Sequence, residues 1–213
     1  MFDVDFLVIG SGFGGSVAAL RLAEKGYDVA VLEQGRRYAT EDFPRTNWAL
    51  RKYLWLPRLG LYGIQALTFL RHALVLHGRG VGGGSLVYAN TLIMPDEEVL
   101  RHPDWGPGDW VERLRPHYAE ARRMLGVVRC PDVGRTDELL RGIAAEITGE
   151  DTFRVHDVGV YFGAPDVAVP DPFFAGAGPD RAGCARCGAC MIGCPVGAKN
   201  TLDKNYLWLA EGL

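Results

Sequence analysis

Gly10, Gly12 and Gly15 recur in the spacing Gly-x-Gly-x-x-Gly, and Glu33 follows 23 residues after the first of them. Glycines so placed suit a dinucleotide: the first permits a tight turn, the second lets backbone approach a pyrophosphate, and the third lets a helix pack closely on a strand. The pyrophosphate would rest on free N–H groups at the positive end of that helix. An acid at the distance of Glu33 accepts hydrogen bonds from the ribose hydroxyls of the adenosine half and repels a 2′-phosphate. A second glycine run, Gly78–Ser85, reads GRGVGGGS. Its freedom of φ lets successive backbone N–H groups converge on an anionic or carbonyl-rich ligand. The third group is sulfur. Cys184, Cys187, Cys190 and Cys194, followed by Pro195, have the spacing of a bacterial ferredoxin loop and predict a [4Fe–4S] cluster as their metal site. A zinc site and reduced structural thiols are the alternatives. In ferredoxins the fourth cysteine serves a second cluster, and this chain has no second set, so Cys194, Cys130 or a residue beyond Leu213 would have to complete the first.

The elements that position these groups follow from the apolar pattern. Phe6-Leu7-Val8-Ile9 is a strand that runs into the first glycine turn. Ser16–Lys25 has apolar residues at Val17, Leu20 and Ala23 and predicts a helix with Gly26 as its C-cap. Asp28–Leu32 is a second buried strand with Glu33 at its end. Residues 38–76, aromatic and broken by Pro44, Pro57, Gly60 and Gly63, predict a long excursion with one or two short helices, a lid or an apolar surface. His72–His77 is a strand leading into the second glycine run. Further on, Pro116 is expected in the first turn of a helix ending at Gly126. Thr136 is expected to cap a helix carrying Leu139, Leu140, Ile143 and Ile147 and closed by Gly149. Phe153–Phe162 alternates imperfectly and predicts a bulged or irregular edge strand. Its neighbours His156 and Asp157 would point to opposite faces, which argues against an acid–base pair. Ala164–Gly183 predicts an ordered surface loop, and Thr201–Ala210 a helix capped by Thr201.

Bulk properties bound the rest. With 213 residues, 48% hydrophobic and 23% charged, the chain can build a core of one or two domains. A net charge of -3 without a Lys/Arg block gives no footprint for nucleic acid. MFDVDF lacks the basic and apolar regions of a signal peptide, and clustered cysteines suit a reducing compartment, so a cytoplasmic location is expected. Leu59–Leu70 is too short and too glycine-rich to span a membrane.

GSGFGG with Glu33, followed by GRGVGGGSLVYANTL, resembles the glucose–methanol–choline (GMC) oxidoreductases, and most closely their bacterial cholesterol-oxidase-like branch. The resemblance implies noncovalent FAD. Gly10, Gly12, Gly15 and Glu33 would hold its ADP part, with Phe13, Gly14 and Gln34 beside them. Gly80, Gly82, Gly83, Ser85, Tyr88 and Asn90 would lie along the flavin ring. Tyr88 stands where the family usually has Asn or His, so the histidine used for covalent flavin is absent here. The segment Gly197–Leu207 resembles one that follows a cysteine-rich insert in cholesterol-oxidase-like relatives, and other sterol oxidases keep the segment without the cysteines. The implied fold is α/β: a Rossmann-like doubly wound FAD-binding domain over residues 1–98, including the 38–76 excursion, the start of an α+β substrate domain over 99–183, and a cysteine-rich loop and helix over 184–213 returning to the FAD domain. The implied reaction is hydride transfer from an alcohol CH–OH, such as a sterol, to flavin. Oxygen or an acceptor protein would then take the electrons, and a peripheral membrane contact would suit such a substrate. In this family the catalytic histidine lies in the C-terminal part, so the chain is expected to be an N-terminal fragment. His72, His77, His102, His117 and His156 are then packing or surface residues. The alternatives are an iron–sulfur electron-transfer flavoprotein subunit and an NAD-binding dehydrogenase. The second glycine run argues against the latter, because a nicotinamide domain has no need of it.

Overall fold

The computed structural model describes residues 3–213; Met1 and Phe2, which the reading of the N-terminus includes, lie outside the described residues. The chain divides into two units, residues 1–90, 124–126 and 160–213 in the first and residues 91–123 and 127–159 in the second.

The first unit starts with strand β1 (Phe6–Ile9), helix α1 (Phe13–Ala23) and strand β2 (Val29–Leu32). β1 and β2 are parallel, in register from Phe6 opposite Val29 to Ile9 opposite Leu32. Parallel neighbours need a crossover, and α1 supplies it. The helix buries Ser16, Ala19 and Leu20, small or slim residues that let it lie close to the strands. After Ala23 the chain turns through Gly26, whose φ of 82° is left-handed and whose N–H donates to Ala23 O at 2.8 Å.

The excursion over residues 38–76 differs from the expectation. It holds one four-residue helix, α2 (Leu50–Tyr53), and a mixed sheet of β3 (Leu54–Leu56), β4 (Leu61–Tyr62), β5 (Gln65–Phe69) and β6 (Leu74–Gly78) in the order β4-β3-β5-β6. β5 and β6 form an antiparallel hairpin from Gln65 opposite Gly78 to Phe69 opposite Leu74. β6 answers to the strand expected over His72–His77, whereas β3, β4 and β5 went unread, their apolar residues not following burial: Leu67 and Phe69 on β5 are as exposed as Leu74 and Leu76 opposite them. Sheet pairing here is decided by the hairpin turn, where Leu70 N–H donates to Ala73 O at 2.8 Å. Beneath the sheet a small core of Tyr38, Phe43, Ile64 and Leu86 is buried.

The second unit contains α3 (Glu97–Leu100), α4 (Trp110–Met124, its last residue counted with the first unit), β7 (Val128–Arg129), α5 (Arg135–Thr148) and β8 (Asp157–Val158). Pro116 lies inside α4 rather than in its first turn. The helix starts earlier because Asp109 caps it: its Oδ1 accepts from Glu112 N–H at 3.2 Å and its carbonyl from Arg113 N–H at 3.1 Å. Likewise α5 begins after Gly134, whose N–H donates to Asp137 Oδ2 at 2.8 Å, so Thr136 is already helical. Gly149 closes α5 with φ 74°. The strand expected over 153–162 shrinks to β8, paired antiparallel with β7. Asp157 is there spent on Arg122, at 2.8 Å.

The chain then returns to the first unit with β9 (Ala168–Val169), β10 (Arg181–Ala182) and α6 (Tyr206–Glu211). The loop between β9 and β10 is ordered by Asp171, which accepts from the N–H groups of Phe173, Phe174, Gly176 and Gly178. Burial opposes its ionisation, but these four bonds outweigh that and hold the carboxyl below its usual range. The final helix is shorter than expected. Thr201 precedes a 3-10 turn, Leu202–Lys204, without a side-chain cap, and Asn205 Oδ1 accepts from Tyr206 N–H at 2.6 Å at the start of α6. α6 packs on α1.

Candidate dinucleotide site

The first glycine loop has the geometry its spacing predicts. Gly10 takes φ 92° and donates its N–H to Leu32 O at 2.8 Å, tying the turn to the end of β2. Gly12 is the N-cap of α1, which has no acidic residue in its first turn, so the positive end of the helix is not neutralised from within. Phe13 and Gly14 form that first turn. At Gly15 a Cβ would sit 1.9 Å from Gly10 O and 3.2 Å from Val8 Cγ1, the close helix–strand approach that only glycine permits.

Glu33 ends β2 and faces this loop. Its Oε2 accepts from Ser11 N–H at 3.0 Å and Ser11 hydroxyl at 2.7 Å, and its Oε1 from Gly35 N–H at 2.9 Å. Partial burial raises its pKa, but the bonds from Gly35 and Ser11 prevail and hold the carboxyl below its ordinary value. A carboxylate has about four lone-pair sites, so an acceptor position remains for a ribose hydroxyl. Gln34 is engaged by Arg79.

The second glycine run lies directly against the first, a contact no local pattern announces. Ser11 Oγ accepts from Gly82 N–H at 3.1 Å, and a Cβ on Gly83 (φ 51°) would stand 2.8 Å from Gly12 Cα. Gly80 takes φ 140° and packs on Gly35, where a Cβ would fall 2.2 Å from Gly80 N. Gly35 was missed by the motif reading; its signal is a glycine two residues beyond the acid, required by the approach of the second loop. Ser85 is buried, donates its hydroxyl to Gly82 O at 2.7 Å and accepts from Leu202 N–H at 3.0 Å. So the segment after the cysteines braces the loop.

Tyr88 donates its hydroxyl to Asn200 O at 3.2 Å and stands edge-on to Phe13 with ring centroids 6.1 Å apart. Burial raises its pKa above the ordinary tyrosine value, so it is a neutral donor. Asn90 takes φ 72°, is 3% exposed, and its Oδ1 has no hydrogen-bond partner among the described residues. A buried acceptor left open at the end of the second loop is what a bound polar group would satisfy. With the uncapped helix N-terminus and the glycine cradle, the residues present fit a dinucleotide that extends from the first loop along the second. A groove of ≈ 440 Å³ runs the length of β2, from Tyr27 and Asp28 to Ser11 and Glu33, and meets the glycine loops only at that end.

The cysteines do not fit a cluster. Cys184, Cys187, Cys190 and Cys194 line one cavity, but it holds only ≈ 20 Å³. That is room for about one water, not for a cube of four irons and four sulfurs. Among the described residues no group of three or more His, Cys, Asp or Glu is arranged to hold a metal ion. Two of the sulfurs accept backbone N–H groups, Cys184 Sγ from Arg186 N–H at 3.4 Å and Cys194 Sγ from Lys199 N–H at 3.4 Å. Burial raises the pKa of Cys184 and of Cys190. Ligand spacing was satisfied in sequence, but the loop packs on Val160, Val196 and Ala198 and closes over the space a cluster needs. Reduced structural thiols, one of the alternatives, match this geometry. Serine at exposed Cys187 should therefore change stability by less than about 0.5 kcal/mol in thermal or urea unfolding, as at an ordinary surface site. A large loss, with iron released, would restore the cluster.

Residues 8–43 match the NAD(P)-binding Rossmann-like domain family. Over 98% of its length the chain is 55% identical to a cholesterol oxidase of Mycobacterium tuberculosis, of which it spans 37%. It is 47% identical over 99% of its length to a cholesterol oxidase of Acinetobacter baumannii, spanning 39% of that protein. It is 33% identical over 95% of its length to an uncharacterised GMC-type oxidoreductase of Mycobacterium tuberculosis, spanning 29% of it. The chain thus spans well under half the length of these curated relatives.

Proposed function

The chain is GMC-type and cholesterol-oxidase-like, and on that premise we propose that it forms the FAD-binding part of an oxidoreductase that oxidises an alcohol CH–OH. The observation that carries the reading is the contact of the two glycine loops through Ser11, Gly12, Gly82 and Gly83. The resemblance puts a second glycine loop beside the flavin, and in this chain Ser11 and Gly82 hold that loop against the first. FAD, when bound, supplies the hydride-accepting ring, and the protein supplies binding, orientation and electrostatics.

Each residue has a task in this reading. The N–H groups at Gly12–Gly15 and the positive end of α1 bind the pyrophosphate. Glu33 accepts from the adenosine ribose, and its ionised state, kept by Gly35 and Ser11, makes that bond charge-assisted. Gly80, Gly82 and Gly83 let backbone approach the flavin side, Ser85 locks the turn, and Asn90 offers its open Oδ1. Tyr88, standing where a covalently attached flavin would need histidine, leaves the attachment noncovalent, and its hydroxyl donates to Asn200 O. The substrate is a bulky apolar alcohol of the sterol or long-chain kind, with oxygen or a separate acceptor taking the electrons. Exposed Leu67, Phe69, Leu74 and Leu76 on the β5–β6 hairpin support contact with such a substrate or with the membrane that dissolves it. Five free cysteines support a reducing, cytoplasmic setting.

The test uses the full-length protein. Purified anaerobically, it should carry about one flavin per chain, released as FAD on denaturation, and a sterol should bleach its visible absorption. Absence of flavin after reconstitution with FAD would end the proposal.

A further inference from the structure

Lys199 is 0% exposed and pairs with no carboxylate among the described residues. A buried ammonium is costly unless all three of its donors are satisfied. Here they are, and every acceptor is a backbone carbonyl: Leu86 O at 3.1 Å, Tyr88 O at 2.9 Å and Cys190 O at 2.7 Å. The same ammonium sits 4.4 Å from the centroid of the Tyr88 ring. If the position served packing alone, an apolar side chain of similar length would fill it at lower cost. The ammonium instead joins two stretches that are distant in sequence. One is the segment that leaves the second glycine run, where Val87 and Tyr88 N–H both bond Gly84 O. The other is the cysteine-rich loop.

The backbone of Lys199 is itself held. It bridges Val160, its N–H reaches Cys194 Sγ, and its carbonyl accepts from buried Arg181 at 3.0 Å. The lysine is therefore a rigid post, with one end fixed in the cysteine-rich loop and the other gripping two carbonyls of the loop above. This gives the cysteine-rich segment a task without a metal: it supplies the wall against which the loop is pulled.

We propose that Lys199 is a positioning residue for the flavin, its ammonium holding the backbone at Leu86 and Tyr88 so that Tyr88 and Asn90 keep their place beside the cofactor. The proposal rests on the FAD reading above and adds to it a residue that contacts the loop rather than the cofactor. It also predicts that the wall and the flavin loop respond together when this tie is cut.

The experiment compares wild-type, K199M and K199Q full-length proteins. Methionine keeps the length and apolar stem and removes charge and donors; glutamine keeps two donors and removes the charge. The readouts are the dissociation constant for added FAD, the visible spectrum of the bound flavin and its midpoint potential, with unfolding followed separately. K199M should weaken FAD binding by about tenfold or more, the scale of one charge-assisted hydrogen bond. It should also alter the flavin spectrum and shift the midpoint potential, because Tyr88 and Asn90 would lose the backbone tie that keeps them beside the ring. K199Q should show the same changes at smaller size, and it carries the test if K199M does not fold. A variant that is merely less stable but binds FAD with wild-type affinity, spectrum and potential would overturn the assignment. A wild-type protein that binds no FAD would overturn the preceding proposal and this one with it; a flavin-loaded wild type beside unaffected variants overturns only this one.

Discussion

Alanine at Gly83 should strip the protein of its flavin and destabilise it by about 2–5 kcal/mol. Two costs add at this position. The residue holds φ 51°, in the left-handed region, which costs a residue with a Cβ roughly 1–2 kcal/mol. The new methyl would also stand 2.8 Å from Gly12 Cα, and that neighbour is backbone in a loop already tied at Ser11 and Gly10. It cannot swing aside as a side chain can, so overpacking adds about 1–3 kcal/mol. The two glycine loops would be pushed apart where the cofactor is expected to lie between them. Gly142 provides the contrast. It lies inside α5, and a Cβ there meets nothing within 4 Å. The same substitution at Gly142 should stabilise by about 0.5–1 kcal/mol through helix propensity. Urea unfolding and the flavin content of the purified variants measure both effects. Equal stability of G83A and G142A would show that the loops do not meet as described.

Removing the carboxylate of Glu33 is expected to weaken FAD binding by about 10–100-fold, the range of about 1.5–3 kcal/mol for a hydrogen bond to a charged group. E33A loses the ribose acceptor. It also leaves the N–H groups of Ser11 and Gly35 without their partner, which loosens the turn that Gly80 packs upon. The pH dependence has a definite sign. The folded pKa of Glu33 lies below its ordinary value of 4.5, so the protein holds the ionised form more tightly than the unfolded chain does. Its contribution is complete above that ordinary value and is lost as pH falls through the lowered folded value. FAD retention in the wild type should therefore hold at neutral pH and fall off only below about pH 4.5. In E33A it should start lower and lack that acid-side step. Fluorescence of released FAD across an acid titration reads both, and an identical acid limb in E33A would remove Glu33 from the site.

How far the residues alone led depended on how local each relation was. Gly10, Gly12 and Gly15 with Glu33 were legible because their partners lie within one strand–turn–helix–strand unit, where spacing along the chain and distance in space nearly coincide. The caps of α4 and α5 were misplaced by a few residues because Asp109 and Gly134 compete with Pro116 and Thr136, and each pair is locally plausible. The strand at His72–His77 was legible as β6, but its partner β5 was missed because the exposed Leu67 and Phe69 give no buried face to read. The cysteine spacing was satisfied on paper, yet packing against Val160 and Ala198 left the thiols no cluster-sized space. Lys199 could not be singled out at all, since its three acceptors sit up to 113 residues away.

From the sequence by itself came the strand–turn–helix geometry around Gly10, Gly12 and Gly15 and the acid that ends the next strand, because a glycine spacing is a statement about local backbone that survives without a fold. Only the tertiary structure decided that the two glycine loops touch, that Gly35 must be small, and that one buried ammonium ties the second loop to the cysteine-rich segment. Those relations arise where residues 11, 35, 83 and 199 converge, and no pattern along the chain records a distance that folding alone brings about.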